Sequence, residues 1–227
     1  MGMVLTRWVL LALLVTLTAG FGPVAVSAQD GGEDDFGLDL GQFEGIEAAV
    51  ARGYVASITE EPISGQLLTM SVMVLRFDSD RHASEALEPL AGMVRDGFAE
   101  SGIALTEVPF DDRDAPGDEA FHYGADPAAT PDPDDELLAG IALLAVRSGD
   151  TVVLAIALPL EGDAGQALLA VVEDVLGRDA GDDEVTLDAD GASTGGLFDR
   201  LPDRGDPVLA GTDPVTDTVL FPVADQA

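Results

Sequence analysis

A two-helix α+β fold on a mostly antiparallel sheet is what this sequence predicts, and three observations predict it. Runs of apolar and β-branched residues, bounded by acidic or Pro/Gly-rich breaks, have the texture of strands. Two other stretches carry apolar residues at helical spacing on a single stripe, and each stripe must be buried against the sheet. The longest strand pair is separated only by Ser148-Gly149-Asp150, a turn that makes its neighbours antiparallel. The expected order is β-β-α-β-β-β-β-α, in one α+β domain over residues 43–177.

Residues 1–28 read as a signal peptide rather than as part of the fold. Arg7 is followed by an apolar run from Trp8 to Ala19, then by Gly20, Gly22 and Pro23. Val26 and Ala28 stand where signal peptidase reads small side chains, so cleavage is expected after Ala28. An uncleaved anchor is the alternative, because Trp8 to Ala28 could almost span a bilayer. With no cysteine there is no lipidation site, and the expected product is secreted rather than a lipoprotein. Residues 29–42, rich in Gly and Asp, read as a flexible acidic lead-in.

The elements follow in order. Apolar residues at 43, 46 and 50 suggest a short helix over Phe43–Val50, and a strand is expected from Ala51 to Ile58. "GQLLTMSVMVLRF" (65–77) is apolar on both alternating faces, as in a strand buried on both sides. Asp78, Ser79 or Asp80 can cap the helix that follows, whose stripe is Ala83, Ala86, Leu87, Leu90, Val94 and Phe98. Pro89 removes one backbone bond and should bend this helix, which is expected to stop at Gly102. A short strand, 104–110, leads to the loop "DDRDAPGDE" and the brief strand "EAFHY". A second Pro/Asp loop, "GADPAATPDPDDE", precedes the hairpin "AGIALLAVR"–Ser148-Gly149-Asp150–"TVVLAIAL", whose second strand is apolar throughout and should be central. The last helix, 163–176, buries Ala164, Ala167, Leu168, Val171, Val172, Val175 and Leu176, with Gly177 as its stop.

Residues 178–196 read as an acidic disordered linker, and 197–227 as an irregular C-terminal tail contributing little stability. Phe77/Leu158, Ala83/Ala164, Ala86/Ala167 and Leu87/Leu168 align at a constant offset, which fits either a repeated strand–helix unit or the match that any strand–helix unit gives in an Ala-rich chain.

Charge and composition exclude several functions. The net charge is −33, from 43 acidic against 10 basic residues, and every basic residue is arginine. Such a surface repels nucleic acid and anionic lipid headgroups, so neither is an expected partner. The absence of Lys and Asn fits high-GC codon usage; the acid excess fits that or halophily. No cysteine means no disulfide, thiolate nucleophile or Cys–zinc site. H-E-x-x-H and G-x-x-x-x-G-K are both missing, and the one G-x-S-x-G, Gly191–Gly195, falls in the acidic linker rather than between a strand and a helix.

"VMVLRFDSDRHASEAL", "GDEAFHY" and "VRSGDTVVLAIAL" with a closing helix resemble small exported α+β domains of high-GC bacteria. The extracytoplasmic sensor domains of mycobacterial-type Ser/Thr kinases and related secreted proteins look similar over roughly residues 48–177. Those kinase domains are cysteine-stapled and tethered, whereas this chain has no cysteine and is expected to be released. The resemblance implies a binding or sensing module and carries no catalytic residues with it.

Only His82 and His122 offer imidazole, each among carboxylates: Asp78, Asp80 and Glu85 around the first, Asp118, Glu119 and Asp126 around the second. A zinc site needs three or four convergent ligands, and the two are read as surface histidines. Asp78-Ser79-Asp80 has the spacing of an aspartyl phosphotransferase motif, but His82 stands where Thr or Val belongs; a helix cap explains it. Calcium would draw on the acidic loops 111–118, 126–136 and 182–190. The expected function is a non-enzymatic exported module that binds or senses an unknown extracytoplasmic ligand or envelope protein. A calcium-stabilised exported protein and a carboxylate-based hydrolase are the alternatives. No catalytic, cofactor-binding or metal residue is assigned, and no cofactor.

Overall fold

The computed structural model describes residues 40–56, 67–110, 115–125, 140–159, 164–178, 196–209 and 212–221. Seven strands are described: β1 (Ile46–Ala56), β2 (Leu67–Phe77), β3 (Leu105–Glu107), β4 (Glu119–Ala125), β5 (Ala142–Ser148), β6 (Thr151–Pro159) and β7 (Thr212–Phe221). They form one sheet in the order β3-β4-β5-β6-β2-β1-β7, every neighbouring pair antiparallel. β6 is buried at every residue and lies at the centre, as its unbroken apolar run requires.

Two helices cover the two faces. On one, Ala83, Ala86, Leu87, Leu90 and Phe98 of α1 (Asp80–Glu100) join Leu75, Phe77, Leu143, Val152 and Leu154. On the other, Leu168, Val171, Val172 and Val175 of α2 (Gly165–Gly177) join Val72, Val74, Leu144, Val153 and Ala155. Side chains alternate across a strand, so β2, β5 and β6 feed both cores in turn. The predicted α+β class, with its antiparallel sheet and two packed helices, holds. Pro89 lies inside α1 and is exposed. Among the described residues no helix is long and apolar enough to cross a membrane.

Three local expectations are corrected. The helix expected over 43–50 is not there: Leu40–Gln42 form a 3-10 turn, and β1 already runs from Ile46. Ala48 and Val50 enter one core and Ala49 and Ala51 the other, and only extended chain can bury alternate residues on opposite sides. Leu40, within the expected lead-in, is buried.

The second correction concerns the tail, which is not irregular throughout. Leu197–Arg200 and Pro207–Leu209 are 3-10 turns, and β7 pairs with β1 along most of its length. Leu197, Leu201 and Leu209 are buried in the core beneath α2. The third is the apparent repeat. Phe77 and Leu158 share a face, but Ala83 and Ala164 enter opposite cores, so the aligned residues are not structural equivalents. The signal peptide, the lead-in up to residue 39 and 179–195 of the expected linker lie outside the described residues.

Candidate functional site

The predicted cap builds the first half of the site. Ser79 is extended and its hydroxyl accepts the backbone N–H of His82 at 3.3 Å, which starts α1. One helical turn then brings residues 78 and 82 together, with His82 Nδ1 at 2.5 Å from Asp78 Oδ1. Arg81 Nη2 lies 3.0 Å from His82 Nε2. A guanidinium can only donate, so the tautomer that fits this contact accepts at Nε2 and carries its proton on Nδ1, donated to Asp78. That hydrogen bond, helped by one from the Ser79 hydroxyl at 3.0 Å, holds the Asp78 carboxyl below its ordinary range. Glu44 Oε2 is 3.9 Å from Nε2, on the chain leading into β1.

Gly45 locks that lead-in against the dyad. Its carbonyl accepts the Asp78 N–H at 2.8 Å, and its φ of 78° is one that side-chain-bearing residues avoid. A Cβ there would run into His82 Nδ1 and Asp78 Oδ1. Gly45→Ala is therefore expected to cost about 1–2 kcal/mol from the backbone alone. It should also break the histidine–carboxylate contact, to be read as a changed imidazole signal in NMR beside a lowered unfolding midpoint.

The second half of the site comes from the hairpin turn. Phe77 N–H donates to the Asp150 carbonyl at 2.9 Å, which places Ser148–Asp150 beside the start of α1. Asp118 Oδ2 accepts Gly149 N–H at 2.8 Å and faces Arg147 Nη1 at 3.3 Å. Glu119 Oε2 accepts the Ser84 hydroxyl at 3.1 Å and stands 3.5 Å from Arg147 Nε, near enough for charge attraction without a hydrogen bond's alignment. One end of the sandwich thus gathers Asp78, Asp118 and Glu119 with a histidine and Arg147. The helix N-terminus adds its own partial positive charge to what holds Asp78 there.

His122 belongs elsewhere. Phe121 and Tyr123 of β4 pack toward α1, so His122 points to the opposite face, where its ring lies 5.9 Å from that of Phe110. The two histidines are on opposite sides of the sheet and cannot share a ligand. Among the described residues no group of three or more His, Asp or Glu is placed to hold a metal ion. Of the acidic loops weighed for calcium, only residues 115–118 are described.

No family model, curated protein or solved structure matches this chain. Its chemistry is read from its own side chains.

One residue escaped the sequence reading. Arg52, in the middle of β1, is buried at 8 % exposure and reaches four C-terminal groups. Its Nε and Nη2 grip Asp217 at 2.6 and 3.0 Å, and Nη1 donates to Asp203 at 2.8 Å and to the carbonyls of Leu201 and Pro202. Tyr54 donates to the same Pro202 carbonyl at 3.2 Å, and the Phe198 ring lies 5.8 Å from the guanidinium carbon. Burial opposes the charge, but the Asp217 hydrogen bond and its neighbours outweigh it and hold the guanidinium above its usual pKa. Burial also pushes the Tyr54 phenol up, so it stays a neutral donor. The only signal was an arginine inside the apolar run "AAVARGYVA".

Proposed function

We propose that the chain is an exported, non-enzymatic module that binds or senses an extracytoplasmic ligand or envelope protein. The observation that supports this best is the closure of the sheet on both faces, each by its own apolar core. With both faces occupied, recognition falls on the ends and edges of the sandwich. At the best-defined end the carboxylates of Asp78, Asp118 and Glu119 are already oriented by caps and arginines. The strong negative charge favours a cationic or hydrogen-bond-donating partner over nucleic acid or anionic lipid. N-terminal sequencing of the secreted product should begin at Gln29; an intact N-terminus in the membrane fraction would refute cleavage and favour the anchored form.

A hydrolase is the second reading, because the His82–Asp78 pair has the proton arrangement of an oriented general base. Ser79 does not complete it, since its hydroxyl donates to Asp78 and caps α1 rather than facing His82 Nε2. The mature protein should leave ester, phosphoester and glycoside substrates untouched. Turnover that disappears in His82→Ala and Asp78→Asn would reverse the order of the two readings. The same samples test the calcium reading: calcium and magnesium chlorides at matched ionic strength should raise the unfolding midpoint equally. A rise seen with calcium alone at millimolar concentration would favour a specific site.

A further inference from the structure

We propose that residues 196–209 and 212–221 form a strap that lifts off as a unit in acid, while the rest of the sandwich stays folded. Among the described residues, the strap-to-core ion pairs Arg52–Asp203, Arg52–Asp217 and Arg178–Asp206 each put the carboxylate on the strap and the arginine on the core. Arg52 holds Asp203 and Asp217, at 2.8 and 2.6 Å. Arg178, at the end of α2, holds Asp206 at 2.8 Å while also gripping Asp174 of its own helix at 2.7 Å. The Asp203 N–H donates to Asp206 at 2.7 Å, which ties the two rivets together. A further pair, Arg204 with Asp213 at 3.4 Å, lies wholly within the strap.

These contacts explain why the strap would move as one piece. Among the described strands β7 lies at the edge with β1 as its one partner, and Pro214 within it cannot donate to any ladder. The strap's apolar anchors, Leu197, Leu201 and Leu209, sit beside the two rivets. Without the carboxylates of Asp217 and Asp203, Arg52 would be a buried cation facing only carbonyls and the neutral Tyr54, and lifting the strap is what would return it to water. At the other rivet, Arg178 holds the Asp206 carboxyl below the usual range, chiefly through their hydrogen bond. A depressed folded pKa gives stability that is present above the ordinary carboxylate value and lost as pH falls through the lowered one. Asp174 remains with Arg178 on the core and keeps that arginine paired after release. The core itself moves the other way, because protonation relieves the repulsion of a chain with net charge −33.

Hydrogen exchange on the full chain, corrected for the intrinsic pH dependence of exchange, tests this between pH 7 and pH 3. Peptides over 196–209 and 212–221 are expected to lose protection together below about pH 4, the ordinary aspartate range, while β6 and α1 keep theirs. Strap and core losing protection at the same pH, or a strap protected throughout, would overturn the proposal. Asp203→Asn with Asp217→Asn should reproduce release at pH 7, with strap exchange at least ~10-fold faster; unchanged protection counts against it. Arg52→Met removes the cation that needs those carboxylates, so its strap should stay docked further into acid than the parent's. If the doubly substituted chain does not fold, Arg52→Met decides alone: a strap that releases at the parent's pH refutes the mechanism.

Discussion

Truncation after Arg178 is expected to lower the unfolding midpoint by about 10 °C and to leave a folded protein. The sequence reading expected almost no effect, and the reversal comes from three leucines. Leu197, Leu201 and Leu209 are buried in the core beneath α2, and each is worth about 1.5–3 kcal/mol of burial. β1 would also lose the partner that converts its outer edge into a ladder. Two effects reduce the loss: the strap no longer has to be ordered, and Arg52 gains water when Asp203 and Asp217 leave. A net loss of about 3 kcal/mol corresponds to about 10 °C in a domain of this size. An unchanged midpoint would restore the reading of the tail as a passenger. A truncated chain that cannot fold at all would also refute the releasable strap, because the core must survive without it.

The parts of the fold that were legible are those whose physics is local. Ser79 caps α1 through a bond spanning three residues, and the two-residue Gly149-Asp150 turn, one residue shorter than expected, fixes the β5–β6 pair by its length. β6 showed its central place because no residue from Thr151 to Pro159 needs water. What failed was less local. Over 43–50 the apolar spacing matched a helix by coincidence, and small alanines suit either state until the two faces of the sheet are known. β7 is half-exposed, mixes Thr with Asp and contains Pro214, so its strand character comes from β1 rather than from its own pattern.

The candidate site divides along the same line. The Asp78–His82 contact is an i,i+4 pair on a capped helix and was present in the residues quoted. Gly45, Arg147 and Glu119 reach that end of the sandwich only through the β1–β2 and β4–β5 registers. Separation of the two histidines depends on strand parity: a shift of one residue in β4 would have turned His122 toward α1. Arg52 is the extreme case, with partners 151 and 165 residues away. Its position in an apolar strand announced that a counter-charge must exist, but nothing local could say where.

Val171→Asp is expected to be the most damaging single substitution on α2. Val171 is completely buried, in the cluster with Val72, Leu144, Val153 and Ala155. A carboxylate there would lose its hydration among the aliphatic side chains of that cluster. The cost should exceed ~4 kcal/mol, against about 2 kcal/mol for Val171→Ala, which removes only the methyl groups. Because burial raises a carboxyl's pKa, the folded variant binds its proton more tightly than the unfolded chain. The variant should therefore regain part of its stability as pH falls toward the raised pKa, whereas Val171→Ala should show no such recovery. Glu173→Gln, on the exposed side of the same helix, should stay within ~0.5 kcal/mol and controls for changes in net charge. Denaturant titrations of the three variants at pH 7 and pH 5 measure all of this. If Val171→Asp loses no more than Val171→Ala at pH 7, α2 does not seal its face of the sheet, and the two-sided closure behind the functional proposal fails with it.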